Sequence, residues 1–251
     1  MIVLNDVSVA FNLSTPMEYF ALRSLTLRIQ EGEFVTVIGG NGAGKSTLLH
    51  LLAGEIKATC GSLFINKMNI TELSEAQRAK FVSRVFQDPL VGSCGDLTIE
   101  ENMGLAFLRG YGRSLKKAVT KNDRKYFRDL VAGLKLGLEN YLEVPMKHLS
   151  GGQRQAISVL MATLQPSRIL LLDEHTAALD PKMAKRVMSI TTQLIEEQKL
   201  TVLMVTHSMS QALEYGTRTI LMQEGRVAKD ISGRERSAMT PHDLLELFEL
   251  I

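Results

Sequence analysis

The chain has 251 residues, 45% hydrophobic and 22% charged, enough for one substantial core with room for a subdomain. A formal net charge of +2 excludes a broad basic field for general nucleic-acid binding. Cys60 and Cys94 fall in no C-x-x-C pattern, so a reduced compartment is expected in place of a disulfide or metal framework. No apolar run approaches the roughly 18 residues of a membrane span, and residues 1–10 lack the charge pattern of a signal peptide. The expectation is a soluble protein that reaches a membrane only through a partner.

Val3, Val7 and Val9, then Leu25, Leu27 and Ile29, recur at period two and predict strands over residues 2–11 and 22–29. Residues 12–20 between them form a loop, punctuated by Ser14-Thr15-Pro16. Glu31-Gly32-Glu33 turns into residues 34–38, a short apolar, β-branched run typical of a buried strand. Next comes Gly39-Gly40-Asn41-Gly42-Ala43-Gly44-Lys45-Ser46-Thr47, which matches G-x-x-x-x-G-K-[ST]. Its glycines let backbone N–H groups close around phosphate oxygens with no Cβ in the way. Lys45 is placed to reach the β- and γ-phosphates and the Ser46 hydroxyl to ligate Mg²⁺. Leu48, Leu49, Leu51 and Leu52 open a helix whose positive end faces the same anion.

Residues 61–66 read as a further strand. Ser74-Glu75-Ala76-Gln77 is a capping box and predicts a helix to about Arg84; Thr98-Ile99-Glu100-Glu101 is a second. The Lys- and Arg-rich residues 109–128 suit a solvated helix pair or, alternatively, a contact with acidic lipid headgroups. Helical periodicity dominates residues 101–164. Ile169-Leu170-Leu171-Leu172 is a continuous apolar run ending in Asp173-Glu174, as in a strand buried on both faces of a parallel sheet. Asp180-Pro181 reads as N-cap and first helical residue, with Val187, Ile190, Leu194 and Ile195 as the apolar stripe. Residues 202–205 form another buried strand, ending at Thr206-His207. Strand, turn and strand follow over 219–228, and Thr240-Pro241-His242-Asp243 caps a last helix to Leu250.

Leu149-Ser150-Gly151-Gly152-Gln153 offers a backbone nest ahead of a helix, a second phosphate-binding feature. One γ-phosphate does not need two such loops in one fold, so the second serves the nucleotide of another molecule. With this run about twenty residues before Asp173, the whole chain resembles the ATP-binding cassette (ABC) ATPases, the nucleotide-binding subunits of ABC transporters. The resemblance implies an α/β P-loop NTPase of ABC ATPase architecture, with a mainly parallel core sheet, an N-terminal antiparallel β subdomain and a helical subdomain. It implies one domain over 1–251: a nucleotide-binding core in 1–86 and 165–251, and a helical subdomain in 87–164 carrying the Leu-Ser-Gly-Gly-Gln run.

Several roles come with the resemblance. Gly39, Asn41, Gly42, Ala43, Gly44, Lys45, Ser46 and Thr47 would bind ATP, and Phe11 would stack on adenine, with Tyr19 and Phe20 as alternatives. Asp173 would hold Mg²⁺ with Ser46 and Gln87, its strand end facing the ligand crevice of an open α/β sheet. Glu174 would be the catalytic base, His207 the switch histidine on the γ-phosphate, and Gln87 the sensor of metal and attacking water. Ser150, Gly151, Gly152, Gln153 and Asp180 would contact the nucleotide of the opposite chain in a head-to-tail homodimer. The chain departs from the common pattern at three positions: Gly40 where Pro or Ser is frequent, His175 where Pro is usual, and Ala156 where many members carry Arg. His175 could perturb the Glu174 carboxylate or cap a turn.

The implied role is an ATPase on the cytoplasmic side of the membrane that powers solute transport. Its implied partners are permease subunits seated near residues 88–102 and an extracytoplasmic solute-binding protein, with no nucleic acid. The pattern is similar to that of bacterial importers, some handling amino acids. A soluble ABC ATPase uncoupled from transport is the alternative; such proteins carry a long coiled-coil insertion or a second cassette, and this sequence has neither.

Overall fold

The computed structural model describes residues 1–110, 119–165 and 167–249. In chain order, β1 (Ile2–Phe11), β2 (Tyr19–Ile29) and β3 (Phe34–Gly39) lead to α1 (Lys45–Ala53), then β4 (Cys60–Ile65), β5 (Met68–Asn69), the single turn α2 (Glu75–Arg78) and β6 (Val82–Val85). Helices α3 (Ile99–Phe107), α4 (Lys121–Gly133) and α5 (Gly151–Thr163) follow, then β7 (Ile169–Asp173), α6 (Pro181–Gln198) and β8 (Thr201–Val205). The chain continues through α7 (Met209–Glu214), β9 (Arg218–Gln223), β10 (Arg226–Ser232), α8 (Gly233–Ala238) and α9 (Pro241–Glu249). Two compact units result: unit 1 from Met1–Arg78, Leu171–Asp173 and Leu200–Ile251, and unit 2 from Ala79–Leu170 and Glu174–Lys199. Unit 2 thus takes in more chain than the helical subdomain read from the sequence.

Unit 1 carries two sheets. The first has the order β2-β1-β4-β5 and is antiparallel throughout. In the second, β10-β9-β3-β8 is followed by the Leu171–Asp173 end of β7. β3 runs parallel to both β8 and β9, while β10 returns antiparallel to β9. β8 is buried along its whole length and β3 from Val35 onward. Such strands are covered on both faces, which is why they read as unbroken apolar runs without alternation. Arg78, 1% exposed, ties α1 to the loop before α2: its guanidinium donates to the carbonyls of Leu51, Leu52, Thr71 and Leu73. The bonds to Leu51 and Leu52 reach the last turn of α1, where carbonyls run out of helical donors.

Unit 2 is built around α5, where nine consecutive residues from Gln155 to Thr163 are buried. A helix buried on all sides loses its polar face, as the run from Ala156 to Ala162 shows. Arg109 donates to Ala162 O at 3.1 Å near the end of this helix. The Thr98–Glu101 capping box on α3 forms as expected. α4 opens with a further box, Thr120 with Asp123, and buries Phe127 and Val131. Its Arg124 bridges Glu100 and Glu143, so this part of the basic stretch is a helix with one apolar face. Residues 111–118 of that stretch lie outside the described residues, as does Leu250 at the expected end of the last helix.

One expected helix is corrected. The box at Ser74 opens only the single turn α2, and the chain then enters β6 instead of continuing helical to Arg84. Phe81 O accepts Arg168 N–H at 2.8 Å and Ile169 N–H at 3.0 Å, so residues around β6 join the start of β7. This pairing with a segment far away in sequence overrides the local helix signal at β-branched Val82 and Val85.

Candidate functional site

The phosphate loop occupies the turn from β3 into α1, within unit 1. Leu48 N–H donates to Gly44 O at 2.9 Å, so the N–H groups of Lys45, Ser46 and Thr47 precede the helical ladder. The N-cap position is Gly44, which has no side chain with which to cap them. This end of α1 therefore presents backbone donors together with the positive end of the helix dipole. Gly44 has φ +96°, and a Cβ there would stand 2.6 Å from Ala21 O, so both conformation and space call for glycine. Gly225 N–H holds Ala43 O at 3.1 Å. Lys45 is 7% exposed, and its ammonium folds back to donate to Gly39 O at 2.8 Å and Gly40 O at 2.9 Å. Asn41, Gly42 and Ser46 are exposed.

Topology brings two further candidates to the same unit. Thr206 N–H donates to Val37 O at 3.2 Å, so the chain leaves β8 on the sheet edge where β3 becomes the loop. His207, exposed, is the next residue. Thr206 Oγ1 donates to Gln211 Oε1 at 3.0 Å and accepts Ser208 N–H at 3.1 Å, which fixes the turn on which His207 sits. Asp173 is the last residue of β7, the strand beside β8. Phe11 and Tyr19 are register partners on β1 and β2 and stack on each other, centroids 5.4 Å apart and planes 22° from parallel. Phe11 is therefore half of an aromatic pair, with Tyr19 exposed on the strand beside it.

Unit 2 holds the other candidates. Ser150 is the N-cap of α5: its Oγ accepts Gln153 N–H at 3.3 Å, and Gln153 Oε1 accepts Ser150 N–H at 3.0 Å. The Ser-Gly-Gly-Gln run is thus a capping box in its own right. A Cβ on Gly152 would lie 2.0 Å from Met183 Cγ on α6, whereas one on Gly151 would make only ordinary contact with Leu179 at 3.8 Å. Gly152 therefore permits α5 to approach α6 closely, bringing residues 150–153 beside Leu179 and Met183. Asp180, expected as an N-cap, accepts Met183 N–H at 3.1 Å, with Pro181 first in α6. Glu174 adopts φ +46°, a left-handed conformation uncommon for a residue with a side chain, and its carbonyl accepts Ala177 N–H at 2.9 Å. Gln87 is exposed just beyond β6.

His175 points into unit 2. It is 2% exposed, with Nε2 3.3 Å from Thr191 Oγ1 on α6. The Thr191 hydroxyl already donates its single proton to Val187 O at 2.8 Å, so it accepts from the imidazole. Nε2 therefore carries the proton and Nδ1 does not. Burial pushes the imidazole down to about 4 from its ordinary 6.5, and the ring is neutral at physiological pH. The side chain caps no turn; it is a neutral interior group next in sequence to Glu174.

Sequence reasoning missed Gln155. This residue is 1% exposed, and its Nε2 donates to Phe86 O at 3.0 Å, tying the residue before Gln87 to the helix that begins at Gly151. The signal was helical phase: Gln155 shares a face with Gly152 and Val159, an interior face for a polar side chain. Unit 2 also has a cleft of about 480 Å³ lined by Val91, Cys94, Leu105, Ala106, Arg109 and Met161, among others. Among the described residues no helix is long and apolar enough to cross a membrane.

Comparison with known proteins agrees on one family. A family model described as "ABC transporter" matches residues 22–177. The tyrosine transport ATP-binding protein of Clostridioides difficile is 43% identical over 226 residues, 90% of each chain. The thiamine import ATP-binding protein ThiQ of Escherichia coli is 32% identical over 228 residues, 91% of this chain and 90% of the relative. Among solved structures, the dimeric post-hydrolysis state of the ATP-binding cassette MJ0796 bound to ADP and Pi superposes with a TM-score of 0.80 at 29% identity, covering 92% of this chain and 98% of that one.

Proposed function

The chain belongs to the ABC transporter ATP-binding family, and from that premise we propose that it is the ATP-hydrolysing subunit of an importer for a small solute. The observation that carries this reading is the phosphate loop, where the start of α1, with glycine at its N-cap, and the Lys45 ammonium converge on one strand-to-helix turn. The loop would take the triphosphate, with Lys45 exchanging two neutral carbonyls for β- and γ-phosphate oxygens, a stronger charge-assisted pairing. Phe11, or Tyr19 stacked on it, would receive adenine. Glu174 would polarise the attacking water and His207 would meet the γ-phosphate.

The donor set fits Mg²⁺. Ser46, Gln87 and Asp173 offer hydroxyl, amide and carboxylate oxygens, the hard donors this ion takes alongside phosphate and water. Among the described residues no group of three His, Cys, Asp or Glu forms a separate cage, and an ion arriving with the nucleotide needs none. When bound, Mg²⁺ neutralises charge that develops on the phosphates.

Ser150, Gly151, Gly152, Gln153 and Asp180 would face the nucleotide of a second copy, so that ATP joins two chains head to tail. Passing from mostly open to mostly closed takes about 5.5 kcal/mol of differential binding, under roughly 3 kcal/mol per nucleotide. Several charge-assisted hydrogen bonds reach that scale. The unit 2 cleft, with Val91 and Cys94 inside the expected 88–102 stretch, supports a permease docking there. A solute-binding protein outside the membrane and a cytoplasmic position for this subunit complete the reading. An amino acid is the first cargo to test, given the relative named for tyrosine.

Glu174→Gln tests the core of this reading. The variant should retain MgATP binding, lose most turnover, and run as a dimer in saturating MgATP by size exclusion with light scattering. Turnover at the wild-type rate removes Glu174 as the base; a monomer in MgATP removes the nucleotide-bridged dimer.

A further inference from the structure

Residues 174–180 carry the chain from β7 to α6, and Glu174 opens them in an uncommon conformation. Its φ of +46° lies in the left-handed region, where a residue with a side chain stays only when its surroundings hold it there. Part of that hold is local. Glu174 O accepts Ala177 N–H at 2.9 Å, Thr176 O accepts Leu179 N–H at 3.2 Å, and Asp180 then caps α6 through Met183 N–H at 3.1 Å. Ala177 and Ala178 are exposed, so the grip of the interior falls at the start of the segment, on His175 and Thr176. The His175 ring is 2% exposed, with Nε2 donating to Thr191 Oγ1 at 3.3 Å. Thr191 is fully buried well inside α6, and its own proton goes to Val187 O at 2.8 Å. The turn is therefore fastened to the body of α6 as well as to its first residues.

For a general base, the direction of the carboxylate matters as much as its charge. The carboxylate must come within hydrogen-bond reach of the water it polarises, and a displacement of about 1 Å costs about a hundredfold in rate. Backbone conformation sets the direction of the Cα–Cβ bond, so a Glu174 that relaxed to negative φ would aim its side chain elsewhere. We propose that His175 is a positioning residue for Glu174: its bond to Thr191 holds the adjoining backbone left-handed and so fixes the direction in which the Glu174 carboxylate leaves the chain. The imidazole acts through Glu174 and has no part in proton transfer. The inference rests on the reading of Glu174 as the base.

The test measures steady-state ATP hydrolysis by the full chain, with melting temperature in parallel. His175→Leu removes the donor and Thr191→Val the acceptor. In each, kcat is expected to fall about tenfold, the rate equivalent of losing the bias that keeps one residue left-handed. KM for MgATP should stay within about twofold, since the phosphate loop belongs to unit 1 and the His175–Thr191 bond to unit 2. The double variant should lose no more than either single one, because all three break the same bond. His175→Gln can place its amide nitrogen where Nε2 stands and should return kcat to within about threefold of wild type. Thr192→Val makes the same change one residue along α6, where the hydroxyl donates to Met188 O at 3.0 Å; it should leave kcat unchanged whatever happens to the melting temperature. A kcat within about twofold of wild type in His175→Leu and Thr191→Val overturns the role of His175. So does an equal loss in Thr192→Val, or a His175→Gln variant no faster than His175→Leu. Glu174→Gln separates the two readings. If it turns over normally, the base assignment itself falls; if it is inactive while His175→Leu and Thr191→Val keep their rate, the base stands and His175 does not position it.

Discussion

The buried His175 makes stability depend on acid in a calculable way. Its folded pKa is about 4, against 6.5 for an ordinary imidazole, because burial penalises the charged form. Below pH 6.5 the unfolded chain takes up a proton that the folded chain refuses until about pH 4. The unfolded state therefore binds more protons in that window, and stability rises with pH across it. The contribution is intact above pH 6.5 and drains away as pH falls toward 4. A gap of this size corresponds to about 2 kcal/mol at pH 5 and about 3 kcal/mol below pH 4. His175→Leu removes the titrating group while Thr191 keeps its bond to Val187 O. Urea unfolding of both proteins in EDTA, without nucleotide, should show the variant gaining about 2 kcal/mol on wild type between pH 7.5 and pH 5. A stability difference independent of pH would refute the assignment, as would an NMR titration placing this imidazole near 6.5.

Other substitutions test individual parts. Gly42→Ala and Gly44→Ala both put a Cβ at positive φ, costing roughly 1–2 kcal/mol, but only at Gly44 does the Cβ strike backbone; Gly44→Ala should abolish nucleotide binding in titrations where Gly42→Ala still binds. Gln155→Leu takes the Gln155 donor from the partly buried Phe86 carbonyl, and chemical unfolding should report a loss of about 1 kcal/mol. If that bond also sets Gln87, steady-state ATPase should show a lower kcat with little change in KM; an unaltered kcat would leave Gln155 a packing residue. Ser150→Asp keeps an oxygen for Gln153 N–H, since Asp caps helices as well as Ser does. It adds negative charge where the second chain's phosphate would sit. Melting temperature should hold while MgATP-induced dimerisation disappears, and a variant that still dimerises would take Ser150 away from the nucleotide.

What was legible in the sequence was what local chemistry dictates. The strand-to-helix turn at residues 39–45, the Thr98 box and the Asp180-Pro181 helix start each depend on residues within a few positions of one another, and each forms where local chemistry places it. β6 was misread because the carbonyl of Phe81 finds its donors at Arg168 and Ile169, beyond the reach of any local signal. The environment of His175 was equally hidden: nothing beside it announces Thr191 on the next helix. Gln155 escaped for a related reason. It looks like an ordinary member of a helix until its partner, Phe86 O, is known.

Under the proposed function the Ser-Gly-Gly-Gln run would be structural and chemical at once. The Ser150 hydroxyl spends a lone pair on Gln153 N–H, and its proton is not needed for that bond. Capping therefore orients the hydroxyl without consuming its donor, which suits a group meant to meet a phosphate. Gly152 is required by Met183, and Gly151 meets no such obstacle. Close approach to an anion would explain why position 151 is also bare, since packing alone leaves room there for a methyl group. Under the proposed function the two glycines, adjacent and chemically identical, would answer to different constraints, one set by the neighbouring helix and the other by a ligand.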